Sequence, residues 1–211
     1  IVGGGFRVAL DGAALPSWTT AKLEPGHRLT IRPGPWGSWT YLAFGGRLRA
    51  REWLGAAATH AMSNLGGGAV AADQILEVEA APLHGFAAAN LGAPDGPPTD
   101  ALRVVLGPQD RHFTAQTVAS LFAQPFHLTD AYDRMGVRLA GPDLKPASTL
   151  DMPSEALLRG SIQVAGDGVA TVLLSDHQTT GGYPKIATLV SADVDRLAQR
   201  RAGDAVRFAQ V

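Results

Sequence analysis

The chain has 211 residues, with 18 basic and 19 acidic side chains, no cysteine and 45% hydrophobic residues. A chain of this length can bury a core of its own without disulfides. Its near-zero net charge argues against nucleic-acid binding, and the absence of cysteine excludes thiolate metal sites and cysteine nucleophiles. No apolar stretch approaches the roughly 20 residues of a membrane span, and no signal peptide is visible. We therefore expect a soluble cytoplasmic protein that binds neither nucleic acid nor membranes.

Short alternating or apolar runs between glycines and prolines predict eleven β-strands. They cover residues 6–10, 28–32, 39–44, 74–78, 101–106, 126–129, 134–139, 161–164, 170–174, 186–190 and 206–209. Residues 165–168 (Ala-Gly-Asp-Gly) predict a hairpin turn, because glycine readily adopts positive φ. So many short strands are typical of a barrel or a sandwich.

Two short helices are predicted. The first covers residues 115–123, with Thr114 as its N-cap. The second has Ser191 as its N-cap and is ended by Gly203.

The stretch 90–99 is rich in proline and glycine and predicts a linker. It divides the chain into an N-terminal lobe, residues 1–98, and a C-terminal lobe, residues 99–211.

A dense polar segment, residues 175–185 (Ser-Asp-His-Gln-Thr-Thr-Gly-Gly-Tyr-Pro-Lys), follows one of the predicted strands. We call it the polar loop. Asp176 can accept an N–H, Gln178 can both donate and accept, and the paired glycines let a ligand approach the backbone closely. The loop could bind an amide or a carboxylate, or it could serve only to turn the chain.

Two further segments offer weaker candidates. Asp133 and Arg134 could clamp a carboxylate, although a surface turn with a salt bridge explains them more simply. The junction 107–113 leads into the first helix and could hold an anion, although capping accounts for Asp110 and Thr114 equally well. The six histidines lack the spacings typical of metal sites, and no metal site is expected.

Five separated motifs together resemble one family, that of the C-type subunit of 5-oxoprolinase, also called allophanate hydrolase subunit 2, which is biotin-dependent carboxyltransferase-like. The motifs are Gly-Pro-Gln at 107–109, Tyr-Asp-Arg-Met-Gly-Val-Arg-Leu-Ala-Gly-Pro at 132–142, Gly-Ser-Ile-Gln-Val at 160–164, Leu-Ser-Asp-His-Gln-Thr-Thr-Gly-Gly-Tyr-Pro-Lys-Ile-Ala at 174–187 and Gly-Asp-Ala-Val-Arg-Phe at 203–208. In the N-terminal lobe, residues 42–46 look like a family segment. Two motifs that usually precede it are missing, so we expect this lobe to be truncated relative to the family.

The resemblance implies a mainly β protein, with a cyclophilin-like β-barrel and two short helices beside a β-rich N-terminal lobe. It implies one component of an ATP-dependent 5-oxoprolinase, which opens 5-oxo-L-proline to L-glutamate and works with a partner that is the B-type subunit, or allophanate hydrolase subunit 1. ATP with Mg²⁺ would act at the level of the complex. One alternative is the carboxyltransferase component of a biotin-dependent urea carboxylase. Another is a non-catalytic regulatory module that binds a kinase-inhibitor protein.

On this resemblance we expect Asp176, Gln178 and Thr179 to be catalytic. The expected substrate-binding residues are Asp133, Arg134, Gln163, Thr180, Gly181, Gly182 and Tyr183. Asp176 would accept the substrate N–H, and Gln163, Gln178 and Thr179 would hold its carbonyl side. Arg134 would pair with a substrate carboxylate or with Asp133.

Overall fold

A computed structural model describes residues 1–60, 63–80, 88–92, 101–147 and 152–211. In chain order the strands are β1 (Val2–Gly3), β2 (Arg7–Leu10), β3 (Ala13–Leu15), β4 (Thr19–Thr20), β5 (Leu29–Arg32), β6 (Thr40–Tyr41), β7 (Gly46–Leu48), β8 (Val78–Ala80), β9 (Ala89–Asn90), β10 (Leu102–Leu106), β11 (Phe126–Tyr132), β12 (Gly136–Ala140), β13 (Glu155–Ala156), β14 (Ser161–Val164), β15 (Ala170–Leu173), β16 (Thr180–Gly181), β17 (Lys185–Leu189), β18 (Ala205–Val206) and β19 (Phe208–Gln210). The helices are α1 (Ala115–Ala123) and α2 (Ser191–Ala198).

Eight strands from the second half of the chain form one sheet, in the order β18-β11-β12-β15-β14-β17-β10-β19. Its two outermost strands, β18 and β19, are separated in sequence by Arg207 alone. An open sheet of eight strands would be roughly 34 Å wide, a distance that one residue cannot span. The sheet therefore curls into a nearly closed barrel, and the expected mainly β fold with a barrel and two helices is confirmed.

The barrel interior is apolar because alternate residues of its strands point inward. Along β12, Val137 and Leu139 are buried while Arg138 and Ala140 are exposed. The rings of Phe126 and Phe208 pack at 5.6 Å between centroids, and α1 and α2 cover β19 and β10. This packing places the loops at the strand ends on a rigid support.

The predicted barrel strands are confirmed with small shifts of their ends, except the one at 206–209. That prediction was wrong, because the segment forms two strands, β18 and β19, at opposite edges of the sheet. The strand expected at 134 begins at Gly136, because the Asp133 carboxylate accepts the N–H groups of Met135 and Gly136 and forms a turn. The hairpin between β14 and β15 is also confirmed: the Gly168 N–H donates to the Ala165 carbonyl, and Gly168 has φ of +79°.

The described residues before position 93 form small sheets with the orders β1-β6, β3-β2-β5, β4-β9 and β7-β8. The strands predicted at residues 39–44 and 74–78 exist, but their predicted bounds were wrong. The first strand contains only Thr40–Tyr41, and the second is moved to Val78–Ala80 by its pairing with β7. Of the predicted linker, residues 93–99 lie outside the described part of the chain, so the division into lobes stays a prediction.

The two helix caps differ from each other. Thr114 Oγ1 accepts the Thr117 N–H at 3.1 Å, which confirms the predicted cap of α1. The predicted Ser191 cap was wrong: Ser191 is already helical, and Val190 is the N-cap without a side-chain hydrogen bond. The helix also ends at Ala198, well before Gly203.

A side-chain bridge joins the end of α2 to the N-terminal region. Gln199 Oε1 accepts the N–H groups of Ser38 and Trp39 at 3.1 and 3.2 Å, and its Nε2 donates to the Trp39 carbonyl at 3.1 Å. Arg201 donates to the carbonyls of Gly34 and Gly37. The barrel and residues 34–39 are thus directly connected.

Within the described residues, no helix has both the length and the apolarity that a membrane crossing requires.

Candidate functional site

The polar loop leaves the barrel at the end of β15 and re-enters it at β17. Its first residues are bonded to the neighbouring turn at 133–136. The Leu174 N–H donates to the Met135 carbonyl at 2.9 Å, and the Asp176 N–H donates to the Arg134 carbonyl at 2.8 Å. These backbone bonds bring two sequence-distant candidates, Arg134 and Asp176, side by side.

Arg134 and Asp176 form a bidentate ion pair. Arg134 Nε donates to Asp176 Oδ2 at 2.7 Å, and Nη2 donates to Oδ1 at 2.9 Å. The guanidinium lowers the pKa of the Asp176 carboxyl, and the carboxylate raises the pKa of Arg134. Asp176 is therefore ionised at neutral pH and can act only as an acceptor. Of the two expected partners of Arg134, Asp133 is not contacted: Arg134 pairs with Asp176, while Asp133 accepts the N–H groups of Met135 and Gly136.

Gln163 and Gln178 form a second polar pair. Gln163 is 4% exposed, and its Oε1 accepts from Gln178 Nε2 at 3.3 Å while its Nε2 donates to the Tyr183 carbonyl at 3.2 Å. Gly181 makes this approach possible, since a Cβ added there would lie 3.0 Å from Gln163 Nε2. No protein donor in the described part of the chain contacts Gln178 Oε1, so this oxygen is available to a ligand.

The predicted site residues line two pockets. Arg134 and Asp176 line one of about 500 Å³ together with Ala58, Thr59 and His60; we call it the ion-pair pocket. Gln163, Gln178, Tyr183 and Asp133 line another of about 370 Å³, which we call the carboxamide pocket. The structure therefore brings Gln163 to Gln178 and Arg134 to Asp176, and the two pairs line different pockets.

The remaining predicted residues form the outer part of the loop. Thr179 and Thr180 are exposed. The Thr179 carbonyl accepts the Leu157 N–H at 3.0 Å, and Thr180–Gly181 pairs with β13. A Cβ added at Gly182 would meet nothing closer than 3.6 Å. Gly181 is thus the glycine whose missing side chain shapes the carboxamide pocket.

Sequence reasoning missed several polar residues beside the site. Buried Gln109 and Lys185 form a network with the half-exposed Glu155, which pairs with the polar loop through β13. His60 lines the ion-pair pocket, and its charge contributes to the lowered pKa of Asp176. Gln109 and Lys185 both lie within the motifs that resemble the family, and this position was the sequence signal that could have identified them. Glu155 and His60 had none, because their positions depend on tertiary contacts.

Each arginine that lines these pockets is paired with a carboxylate. Arg134, Arg138 and Arg159 line pockets near the loop, and they contact Asp176, Asp167 and Asp195 respectively. A triphosphate needs several uncompensated cationic or N–H donors at once, and arginines that are each paired with a carboxylate do not supply them, so these pockets do not fit the phosphates of ATP. An N–H beside a carbonyl, as in a lactam, in urea or in the ureido ring of biotin, does fit the two carboxamides. Within the described ranges no three His, Asp or Glu side chains could hold a metal ion.

A nearly closed barrel with a dense polar loop at its end is the architecture expected of a carboxyltransferase-type domain. Residues 1–210 match the family model "Carboxyltransferase domain, subdomain A and B", and the chain belongs to this family. It is 29% identical over 213 residues to the C-type subunit of the 5-oxoprolinase of Escherichia coli K12, a match that covers all of this chain and 68% of that protein. It is 25% identical over 244 residues to the urea amidolyase of Lachancea kluyveri, covering all of this chain and 13% of that protein.

The crystal structure of TTHA0988 is similar over 99% of this chain, with a TM-score of 0.85 and 31% identity. The chain spans 41% of that protein. The similarity covers both the barrel and the N-terminal region, and it supports the assignment to the family. The suspected resemblance to the C-type subunit of 5-oxoprolinase is confirmed.

Proposed function

We propose that this chain is one component of an ATP-dependent 5-oxoprolinase and binds the lactam of 5-oxo-L-proline at the polar loop. The observation that supports this proposal best is the hydrogen-bonded pair of carboxamides, Gln163 and Gln178. The exposed member of the pair, Gln178, lines the carboxamide pocket. The name of the Escherichia coli relative supports the choice of substrate. We further propose that its partner is the B-type subunit, and that the complex is cytoplasmic, where ATP is supplied.

In the proposed complex the lactam lies where the ion-pair pocket and the carboxamide pocket adjoin, within reach of Asp176 and Gln178, which are two residues apart in the chain. Asp176, held ionised by Arg134, accepts the lactam N–H. The second N–H of Gln178 Nε2 donates to the lactam carbonyl, while Gln163 orients the Gln178 side chain. Arg134 has five N–H donors, uses two on Asp176 and also interacts with the Tyr41 side chain, and in the proposal its remaining N–H groups bind the substrate carboxylate. The proposal assigns ATP to the assembled complex and to no residue of this chain.

The test is turnover by the complex produced with its neighbouring gene products. Asp176→Asn and Gln178→Ala should each lower 5-oxoproline-dependent ATP hydrolysis by about 100-fold, because each removes a group that contacts the reacting amide. Two matched controls should retain activity. Glu77→Gln removes an exposed Arg49 ion pair, and Gln116→Ala truncates an exposed glutamine of α1. Full turnover by folded Asp176→Asn and Gln178→Ala variants would show the assignment to be wrong.

A second candidate is the carboxyltransferase step of a biotin-dependent urea carboxylase. The family match and the urea amidolyase relative favour it, and urea presents the same N–H and carbonyl groups as a lactam. The same complex would then consume urea with bicarbonate and ATP, and not 5-oxoproline. A complex that forms normally but turns over neither compound would instead support the regulatory alternative.

A further inference from the structure

Lys185, at the start of β17, is a buried lysine that the proposed reaction does not use. The residue is 3% exposed. Its Nζ donates to the Ala156 carbonyl at 3.2 Å and lies 3.5 Å from Glu155 Oε2. A buried ammonium group is costly unless it is paired and hydrogen-bonded. Both of its partners belong to β13, outside the barrel sheet.

Gln109 completes the network and is 1% exposed. Its Oε1 accepts the Lys185 backbone N–H at 2.8 Å, and its Nε2 donates to Glu155 Oε2. The Gln109 N–H also donates to the Lys185 carbonyl at 3.2 Å. Three side chains thus join the turn after β10, the strand β13 and the start of β17.

The strand β13 in turn holds the polar loop. Glu155 pairs with Gly181 and Ala156 pairs with Thr180, in antiparallel register. The Leu157 N–H extends this ladder to the Thr179 carbonyl. Gly181 lies directly against Gln163, so any displacement of β13 reaches the carboxamide pocket.

Lys185 also lies on the same face of the barrel as Gln163. The two residues are register partners between β14 and β17, beside a β-bulge that follows Ile162. Paired residues of antiparallel strands direct their side chains to one face. The Lys185 side chain is therefore on the same face as Gln163, whose carboxamide contacts Gln178.

We propose that Lys185, with Glu155 and Gln109, is a positioning residue that holds the polar loop over Gln163 and so sets the geometry of the carboxamide pocket. It does not contact substrate. The network acts through β13, by fixing Ala156 and therefore Thr180–Gly181. The test of this inference by enzyme turnover rests on the proposed function, whereas its test by hydrogen exchange of the loop does not.

The test variant is Glu155→Gln, because Glu155 is half-exposed and the change preserves its size. Lys185→Met is a second, more severe variant. Hydrogen exchange of the Leu157 amide should accelerate by at least about tenfold in both, while the Leu102 amide in the barrel stays unchanged. In the complex, the KM for 5-oxoproline should rise by about tenfold with a smaller change in kcat. Lys185→Arg, which retains the charge, should bring both the Leu157 exchange rate and the KM closer to those of the wild type than Lys185→Met does.

Glu79→Gln, an exposed change on β8, is the matched control and should alter neither readout. Unchanged Leu157 exchange in Glu155→Gln would overturn the inference. Faster exchange with unchanged KM and kcat would also overturn it, because the loop would then move without effect on the site. If the wild-type complex does not turn over 5-oxoproline, the proposed function fails, and the exchange measurement alone decides the inference.

Discussion

The two adjacent glycines of the polar loop have different roles, although the sequence presents them as a pair. A Cβ at Gly181 would lie 3.0 Å from both Gln163 Nε2 and Leu157 Cδ1, whereas a Cβ at Gly182 would make only ordinary van der Waals contacts, the nearest at 3.6 Å. The space beside Gly181 is filled by the carboxamide pair. The geometry at residue scale therefore makes only Gly181 sensitive to substitution.

We expect Gly181→Ala to lower the free energy of unfolding by about 1 kcal/mol through overpacking. The side-chain amide resonances of Gln163 and Gln178 should shift. Gly182→Ala should change neither the unfolding free energy nor these resonances. Urea unfolding and NMR of the two proteins check this, and equal effects of both substitutions would contradict it.

Asp193 is a fully buried carboxylate in the first turn of α2. Its Oδ2 accepts from the backbone N–H of Arg103 at 2.7 Å and from Arg103 Nε at 2.9 Å, and Arg196 donates to Oδ1. The Arg103 side chain is the largest cause of a strongly lowered Asp193 pKa, and it outweighs the opposing effect of burial. This residue connects α2 to β10.

A carboxyl whose pKa is lower in the folded state stabilises the protein above its unfolded pKa near 4, and the contribution is lost as pH falls through the folded value. Asp193→Asn should therefore lower the unfolding free energy at pH 7 by about 2 kcal/mol. The gap to the wild type should narrow below pH 4. Asp195→Asn, at an exposed carboxylate of the same helix, should have little effect. Urea unfolding at several pH values checks this, and a gap that stays constant below pH 4 would contradict it.

At the scale of the elements, the two helices begin differently despite similar sequence signals. Thr114 accepts a backbone N–H at the start of α1, whereas Ser191 lies inside α2 and caps nothing. Thr114→Ala should cost about 1 kcal/mol. Ser191→Ala should change stability by less than about 0.5 kcal/mol. Thermal unfolding of the two variants measures the difference, and a larger loss for Ser191→Ala would refute it.

Over the whole molecule, the Gln199 side chain connects the barrel to the N-terminal region. It makes three hydrogen bonds to Ser38 and Trp39. All four tryptophans of the chain, at 18, 36, 39 and 53, precede the barrel. Tryptophan emission therefore reports on the N-terminal region, and far-UV circular dichroism reports on the whole chain.

Gln199→Ala should weaken the connection by about 1–3 kcal/mol, because its backbone partners lose their bonds. The tryptophan transition in urea should move to lower concentration than the circular dichroism transition. Gln116→Ala, a substitution of an exposed glutamine of α1, should leave both unfolding transitions at their wild-type urea concentrations. If the two transitions shift together in Gln199→Ala, the barrel and the N-terminal region unfold as one unit.

Much of this protein follows from its sequence alone. The alternating burial of residues such as Val137 and Leu139, the glycine turn at 165–168 and the Thr114 cap are local features, and local patterns predict them. The density of polar groups from Asp176 to Tyr183 also predicted that the candidate site lies in this segment.

Other features were decided only by the tertiary structure. Arg134 pairs with Asp176, 42 residues away, and Gln199 bonds Trp39 across 160 residues. Such partners are chosen by strand order and register, which a sequence pattern does not specify. The separation of the polar residues into two pockets, and the burial of Lys185 beneath them, have the same origin. The sequence determines which groups are available for chemistry, and the closure of the barrel determines which of them meet.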